Sequence, residues 1–491
     1  MADGTNVSTA GGNVRVIAQN NGNIQLGLID VGAGNVSLIA SRSILDANGT
    51  SLNIAANNLR MEVLTGTIGT SINPIETQIS VLAARSATGI FVFEGNGVRV
   101  DNTGTISVQQ ANFNSTRETV TDASFEDLQT TNGTIHLRSA IGNIVVNSGA
   151  DAVLGVSAGG PGNDVILQVE AVAGLQSGNI VLNTLVRAAD DVTLISNGGS
   201  IDQGSAIAMV QGDFLTIEAG QYAHLHNTQV NRLGASVGSN AILNAAVGQV
   251  VNDNASKRGD DFLDNLKNNV PGTPVGDAVK SEFQFANKYS NGYSLFIVNQ
   301  TELVVSRATA GIVTPSDSPN IYIETRNASN LTIAGDVITR SSVASEGGIV
   351  LVAGKDFSLL AAGKLETQVV TGNAFRQTIE NIGPGDQYLG AKFYDGGEGN
   401  DPNMRSTKTV IQESSRPAET SIRHVNQRVA VQFGFAGEQG FVAIIGYADG
   451  GVIGGSNPRA FDVSGEQGTF PGNPADQTAI SSYPATTLPI A

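Results

Sequence analysis

Three carboxylates stand where the sequence could hold a calcium ion. Gly159-Gly160-Pro161-Gly162-Asn163-Asp164-Val165-Ile166-Leu167 fits the calcium-binding nonapeptide at every fixed position. Gly396-Gly397-Glu398-Gly399-Asn400-Asp401 matches its first six positions, departs at Pro402 and Asn403, and follows directly on Asp395. In rolls built from such repeats the ion lies between consecutive turns, so carbonyl and carboxylate oxygens of neighbouring copies must meet. Each copy here is alone, and the plain alternative is a glycine-rich turn whose Asp caps the next strand. Asp164, Asp395 and Asp401 are thus the candidate metal ligands, with calcium as the ion, and no other cofactor is expected.

Other chemistry-bearing residues are sparser. His224-Leu225-His226 puts two imidazoles on one side of a strand, but the chain has only four histidines, and Leu225 between them fits an ordinary inward position. Asp190-Asp191 is the nearest approach to the paired carboxylates of a polysaccharide lyase or hydrolase. Adjacent residues on a strand point oppositely, so the two form no dyad unless a turn intervenes. Lys257, Arg258, Asp260 and Asp261 read as a solvated helix start. Gly155-Val156-Ser157-Ala158-Gly159 has the spacing of a nucleophile elbow, but a glycine turn with Pro161 follows where that motif needs a helix. There is no Walker lysine, HExxH or dinucleotide fingerprint. No catalytic residue is assigned, and the chain is not expected to be an enzyme.

The elements that position these residues follow from composition and repetition. Of 491 residues 59 are Gly, none is Cys or Trp, and only 14% are charged, where an ordinary globular enzyme carries nearer a quarter. Asn, Ser, Thr, Gly and Ala take the place of the missing charges, a mix suited to stacked strands and tight turns. Aromatics are 5%, so the apolar material is chiefly Val, Ile, Leu and Ala, suited to a narrow interior. A net charge of −17 repels nucleic-acid phosphates and anionic lipid. No stretch approaches the ~20 apolar residues of a membrane helix. Met1-Ala2-Asp3-Gly4-Thr5-Asn6 lacks the regions of a secretory signal, and a segment of something longer is expected.

One unit recurs: Gly, then Asn or Thr, then aliphatic, polar, aliphatic. It occurs as Gly12-Asn13-Val14-Arg15-Val16, Gly22-Asn23-Ile24-Gln25-Leu26 and Gly34-Asn35-Val36-Ser37-Leu38. It returns as Gly104-Thr105-Ile106-Ser107-Val108, Gly133-Thr134-Ile135-His136-Leu137, Gly142-Asn143-Ile144-Val145-Val146 and Gly178-Asn179-Ile180-Val181-Leu182. Each reads as a period-two strand entered through a residue that tolerates positive φ. A strand with one apolar stripe buries it by stacking above its predecessor, which predicts a parallel β-solenoid with coils of about 20 residues and two or three strands each. Recurring Asn predicts stacked amide ladders. The expected rod has roughly 12–16 coils at about 4.8 Å each.

These units, with Gly66-Thr67-Ile68-Gly69-Thr70, Asn73-Pro74-Ile75-Glu76-Thr77, Leu82-Ala83-Ala84, Gly89-Ile90-Phe91-Val92 and Glu94, resemble the repeat region of filamentous-haemagglutinin-like exoproteins and giant bacterial surface proteins. The resemblance covers about half the chain through many degenerate copies. It implies a right-handed β-helix, an extracellular or cell-surface location, and roles in adhesion, biofilm or matrix.

The expected organisation is solenoid coils over 1–251, a partly helical excursion over 252–291 and resumed coils over 292–370. A small C-terminal antiparallel β domain over 371–470 and a Pro/Thr/Ser-rich linker over 471–491 complete it. Within the C-terminal domain, Arg428–Phe435 and Phe441–Tyr447 read as a hairpin. The function expected is that of a rigid adhesive stalk, with cell-surface or matrix glycans or proteins, or copies of itself, as partners. The rivals are a self-assembling filament or surface-layer component, and a carbohydrate-active β-helix.

Overall fold

In the computed structural model the described residues are 4–150, 154–170, 178–238, 294–311, 321–341, 349–355, 357–360 and 363–369. Seven further strands are placed between 376 and 455. The described residues contain no helix, hence none long and apolar enough to cross a membrane. The fold is a parallel β-solenoid. The excursion helix over 260–267, Asp401 and the linker over 471–491 lie outside the described residues. Two compact units divide the chain, 1–219 and 220–491.

In the first unit each coil contributes strands to three faces. Face one stacks Val14–Ala18, Val36–Ala40, Asn58–Val63 and Val81–Ser86, all parallel and in register. It continues through Leu128–Thr130, Leu154–Ala158, Leu185–Ala188 and the start of Met209–Ala219. Face two carries a column of aliphatic side chains in direct register: Ile24, Ile44, Ile68, Ile90, Ile135, Val165, Val192 and Leu215. All but Ile24 are wholly buried, each stabilising the fold by about 1.5–3 kcal/mol through removal from water. Face three runs from Asn6–Ser8 through Leu28–Asp30 and Ile54–Ala55 to Ile75–Gln78, and later from Val98–Val100 to Ile201–Gln203.

Corresponding residues of the first coils are 22 or 23 positions apart. Successive Gly-Asn units at half that spacing start different faces of one coil.

The asparagines bond between coils as expected, but chiefly to backbone. Asn35 N–H donates to Asn13 Oδ1 and Asn58 N–H to Asn35 Oδ1. Asn179 N–H donates to Asn143 Oδ1, and Ser200 N–H to Asn179 Oδ1. A side-chain oxygen thus completes the parallel ladder at the corner, where the turning backbone cannot. Direct side-chain rungs also occur: Asn183 Nδ2 donates to Asn147 Oδ1, and Asn147 Nδ2 to Asp101 Oδ2.

The glycine of the unit has the expected reason at some copies, Gly104 among them, and a different one at others. Gly142 does have positive φ. At Gly34, however, a Cβ would come within 2.5 Å of the Gly12 carbonyl oxygen of the coil beneath. Close approach between coils, not turn conformation, requires glycine there.

One repeat copy is not a coil strand. Ile106–Ala111 pairs antiparallel with Arg117–Asp122 in a separate two-stranded sheet. This hairpin lies against the outside of face one. Asn13 Nδ2 donates to Ser107 O and Asn58 Nδ2 to Thr103 O. Phe125 lies beneath the guanidinium groups of Arg60 and Arg85, 4.4 and 5.0 Å from its ring centroid.

In the second unit Ala223–Val237, Leu295–Asn299, Ile321–Thr325 and Ile349–Ala353 stack in parallel. A neighbouring stack runs through Leu303–Ala310 and Leu331–Ser341. Large rings do enter this unit: Phe296 and Tyr322 are fully buried and stacked, with centroids 4.6 Å apart. The expected hairpin forms, Val429–Phe433 pairing antiparallel with Val442–Gly446. The latter strand also pairs in parallel with Ile349–Ala353, extending that stack.

Candidate functional site

Where the third and fourth coils meet, the regular stacking opens. Ile75–Thr77 pairs with Val92–Glu94, and Val81–Leu82 pairs with Arg99–Val100, so the segments 78–80 and 95–98 between them are not paired with each other as strands. Glu94 occupies the inward position two residues after Val92, where an aliphatic side chain would continue the stripe. Its carboxylate is wholly buried and accepts from the Thr77 hydroxyl at 2.6 Å, from Ile79 N–H at 3.2 Å and from Asn96 N–H at 3.2 Å. It therefore ties the two segments together through Ile79 and Asn96. Burial raises the Glu94 carboxyl to about 7, against the opposing pull of these hydrogen bonds.

Ile79 and Asn96, both bonded to Glu94, line an open groove of about 500 Å³. Its floor is Ala56, Ile79 and Val98, all buried, and its rim carries the exposed Gln78, Ser80, Asn96, Arg99 and Asn143. The Arg99 guanidinium makes no hydrogen bond or ion pair among the described residues. Asn143 spends its Oδ1 on Asn179 N–H and keeps its Nδ2 unengaged. A rim of amides around one unpaired guanidinium suits a ligand rich in hydroxyls and bearing a carboxylate, which arginine can grip through two parallel hydrogen bonds.

The sequence reading missed this groove. The available signal was Glu94 itself, a carboxylate at an inward position of the Ile90–Glu94 strand.

The expected calcium ligands fare differently. Asp164 ends the glycine turn, as expected, and meets Asp190 and Asp191 of the next coil, one carboxylate oxygen from each lying within 4.8 Å of the others. A turn does intervene at Asp190-Asp191, between the strands Leu185–Ala188 and Val192–Ser196, so the adjacent pair converges on Asp164. The neighbouring coil thus brings carboxylates to the nonapeptide without a second nonapeptide. Two of these carboxylates also cap backbone, Asp164 Oδ1 accepting Asp191 N–H and Asp191 Oδ1 accepting Phe214 N–H. Asp395 ends the strand Ala391–Asp395, far along the sequence from this cluster.

Ser157 lies within a strand and accepts from Arg187 at 3.0 Å, with no helix after it, so no nucleophile elbow forms. His226 is buried, and His224 stacks on Tyr222. Among the described residues neither belongs to a cluster of three metal-ligating side chains.

No family model, curated protein or solved structure matches the chain. The chemistry assigned to it therefore rests on its own residues. Glu94 is fully buried with both oxygens engaged and does not line the groove, so the groove offers binding groups at its rim and no carboxylate.

Proposed function

We propose that the chain is a rigid adhesive segment of a large bacterial surface or secreted protein, gripping acidic glycans through the lateral groove at Arg99. The observation that carries this reading is the unpaired Arg99 guanidinium among exposed amides, on a scaffold whose backbone groups are otherwise spent on coil stacking. The resemblance of the Gly-Asn repeats to filamentous-haemagglutinin-like exoproteins supports the surface location. No aromatic ring lines the groove, so each contact is weak, and firm attachment comes from many copies acting together.

The test is binding of the full chain to immobilised oligosaccharides with and without uronic acids, at low and high surface density. Expected is retention on the acidic sugars at high density only, lost in Arg99→Ala. Equal retention of wild type and Arg99→Ala, or none at any density, would sink the proposal.

A further inference from the structure

Five Asn-Gly pairs lie among the described residues: Asn21-Gly22, Asn48-Gly49, Asn96-Gly97, Asn132-Gly133 and Asn197-Gly198. Such a pair can react with itself. The glycine nitrogen, with no side chain beside it to hinder approach, attacks the asparagine Cγ once its proton has passed to hydroxide. The new N–Cγ bond closes a five-membered succinimide, the Cγ–Nδ2 bond breaks, and Nδ2 takes a proton from water and leaves as ammonia. Water then opens the ring at either carbonyl, leaving aspartate or isoaspartate and one negative charge more than before. The reaction needs an asparagine amide free to turn and a glycine nitrogen free of hydrogen bonds.

The fold restrains four of the pairs. Gly22 N–H donates to Gln19 O at 3.0 Å, and Gly133 N–H to Gly159 O at 3.2 Å. The Asn48 side chain is held at both ends, Nδ2 donating to Leu52 O and Oδ1 accepting from Asn53 Nδ2. Gly198 is buried, away from hydroxide and water. Asn96-Gly97 has none of these restraints. Asn96 is exposed and is engaged through its main-chain N–H, which donates to Glu94 Oε1 at 3.2 Å. Among the described residues neither its amide nor the Gly97 N–H makes a hydrogen bond.

This pair lines the groove, with Arg99 beside it in the lining. On the reading of the groove as an acidic-glycan site, on which this rests, we propose that Asn96 deamidates spontaneously through Gly97 and that the carboxylate so formed switches the groove off. The groove is about as wide as the Debye length at physiological salt, so a charge fixed on its rim is felt across it. That charge repels a uronate and competes with it for the Arg99 guanidinium. Isoaspartate also adds one atom to the main chain just before Gly97-Val98, where Val98 N–H donates to Asn143 O at 2.8 Å. The groove thereby acquires a lifetime: new chain grips, and aged chain lets go.

The test is ageing of the full chain in warm, mildly alkaline buffer, with urea in the same buffer and a mildly acidic buffer as controls. Peptide mapping by mass spectrometry follows each Asn-Gly pair, and retention on immobilised uronic-acid oligosaccharides at high density follows the groove. In the folded chain Asn96 is expected to convert ahead of Asn21, Asn48, Asn132 and Asn197, and in urea all five at comparable rates. Retention is expected to fall in step with Asn96 conversion, to persist in the acidic buffer, where the glycine nitrogen keeps its proton, and to be lost in freshly prepared Asn96→Asp. Earlier conversion of another pair, no conversion of Asn96 in the folded chain, or undiminished retention by fully converted chain would overturn the proposal. Fresh wild type that holds no acidic sugar overturns the glycan reading, and the switch with it, while the mapping still reads deamidation at Asn96 by itself.

Discussion

Arg15 Nε donates to both oxygens of the Asp122 carboxylate, at 3.0 and 2.9 Å, joining residues 107 positions apart in sequence. Ser37 adds its hydroxyl to the same carboxylate at 2.7 Å. One buried acid thereby fastens the 106–122 hairpin across the outsides of two successive coils. Replacing Asp122 by Ala strips a charged acceptor from Arg15 and Ser37. A loss of about 2–3 kcal/mol is expected, read by chemical denaturation, with faster proteolysis within the hairpin than within the coils.

The same contact sets an acid limit. Burial alone would raise the Asp122 carboxyl, but hydrogen bonds from Arg15 and Ser37 and the charges of Arg15 and Arg60 outweigh it and hold it below 3.8. A lowered folded-state value contributes stability above the unfolded value, lost as pH falls through the folded one. Hairpin protection, followed by hydrogen exchange, is expected to hold at neutral pH and to weaken progressively once pH falls below the ordinary aspartate value of about 4. Protection that never weakens as pH is lowered below the ordinary aspartate value would contradict this role for Asp122.

Glu94 gives the opposite dependence. Its carboxyl is raised from 4.5 to about 7 by burial, so the folded state keeps a proton that the unfolded chain has released. The associated stability is full below about pH 4.5 and is lost as pH rises through 7. Glu94→Gln keeps an acceptor for Ile79 and Asn96 and can meet the Thr77 hydroxyl with its amide. Its thermal midpoint is expected to exceed that of wild type at pH 8 and to converge with it at pH 4.5, the gap corresponding to about 3 kcal/mol at most.

Gly34→Ala introduces a Cβ 2.5 Å from Gly12 O and 2.9 Å from Gly12 C, both backbone atoms that cannot swing aside. A destabilisation of about 1–3 kcal/mol is expected in equilibrium unfolding. A near-neutral effect would mean that neighbouring coils separate easily.

The Asp164, Asp190 and Asp191 cluster makes a prediction of its own. Without an ion, three like charges repel, and Asp190→Asn raises the thermal midpoint in chelator because it relieves that repulsion. A midpoint that falls instead, with calcium present and not in chelator, would identify the cluster as an occupied site.

The solenoid was legible in the sequence because its cause is local and repeated. Units such as Gly34-Asn35-Val36-Ser37-Leu38 state the strand, its inward face and its entry turn in five residues. The hairpin was misread for the same reason, since Gly104-Thr105-Ile106-Ser107-Val108 carries the same pattern. Only the polar run from Gln109 to Arg117 that follows it, rich in turn residues, marks a strand that doubles back. The groove depends on stacking register. Nothing in its own stretches says that Arg99 will lie beside Gln78. The Asp164 site was half legible: the nonapeptide was visible, but its partners arrive from a coil that repeats none of it.

The asparagine ladder has a direction. In each pair, from Asn13 and Asn35 to Asn143 and Asn179, the side-chain oxygen belongs to the earlier coil and the N–H to the later one. Asp164 and Asp191 obey the same order. A finished coil therefore presents oriented side-chain acceptors to chain that has yet to fold, while its own backbone N–H groups, such as those of Val14 and Ile24, await carbonyls of the next coil. Assembly can proceed as a ratchet from the N-terminal end, each turn templating the next as it is delivered.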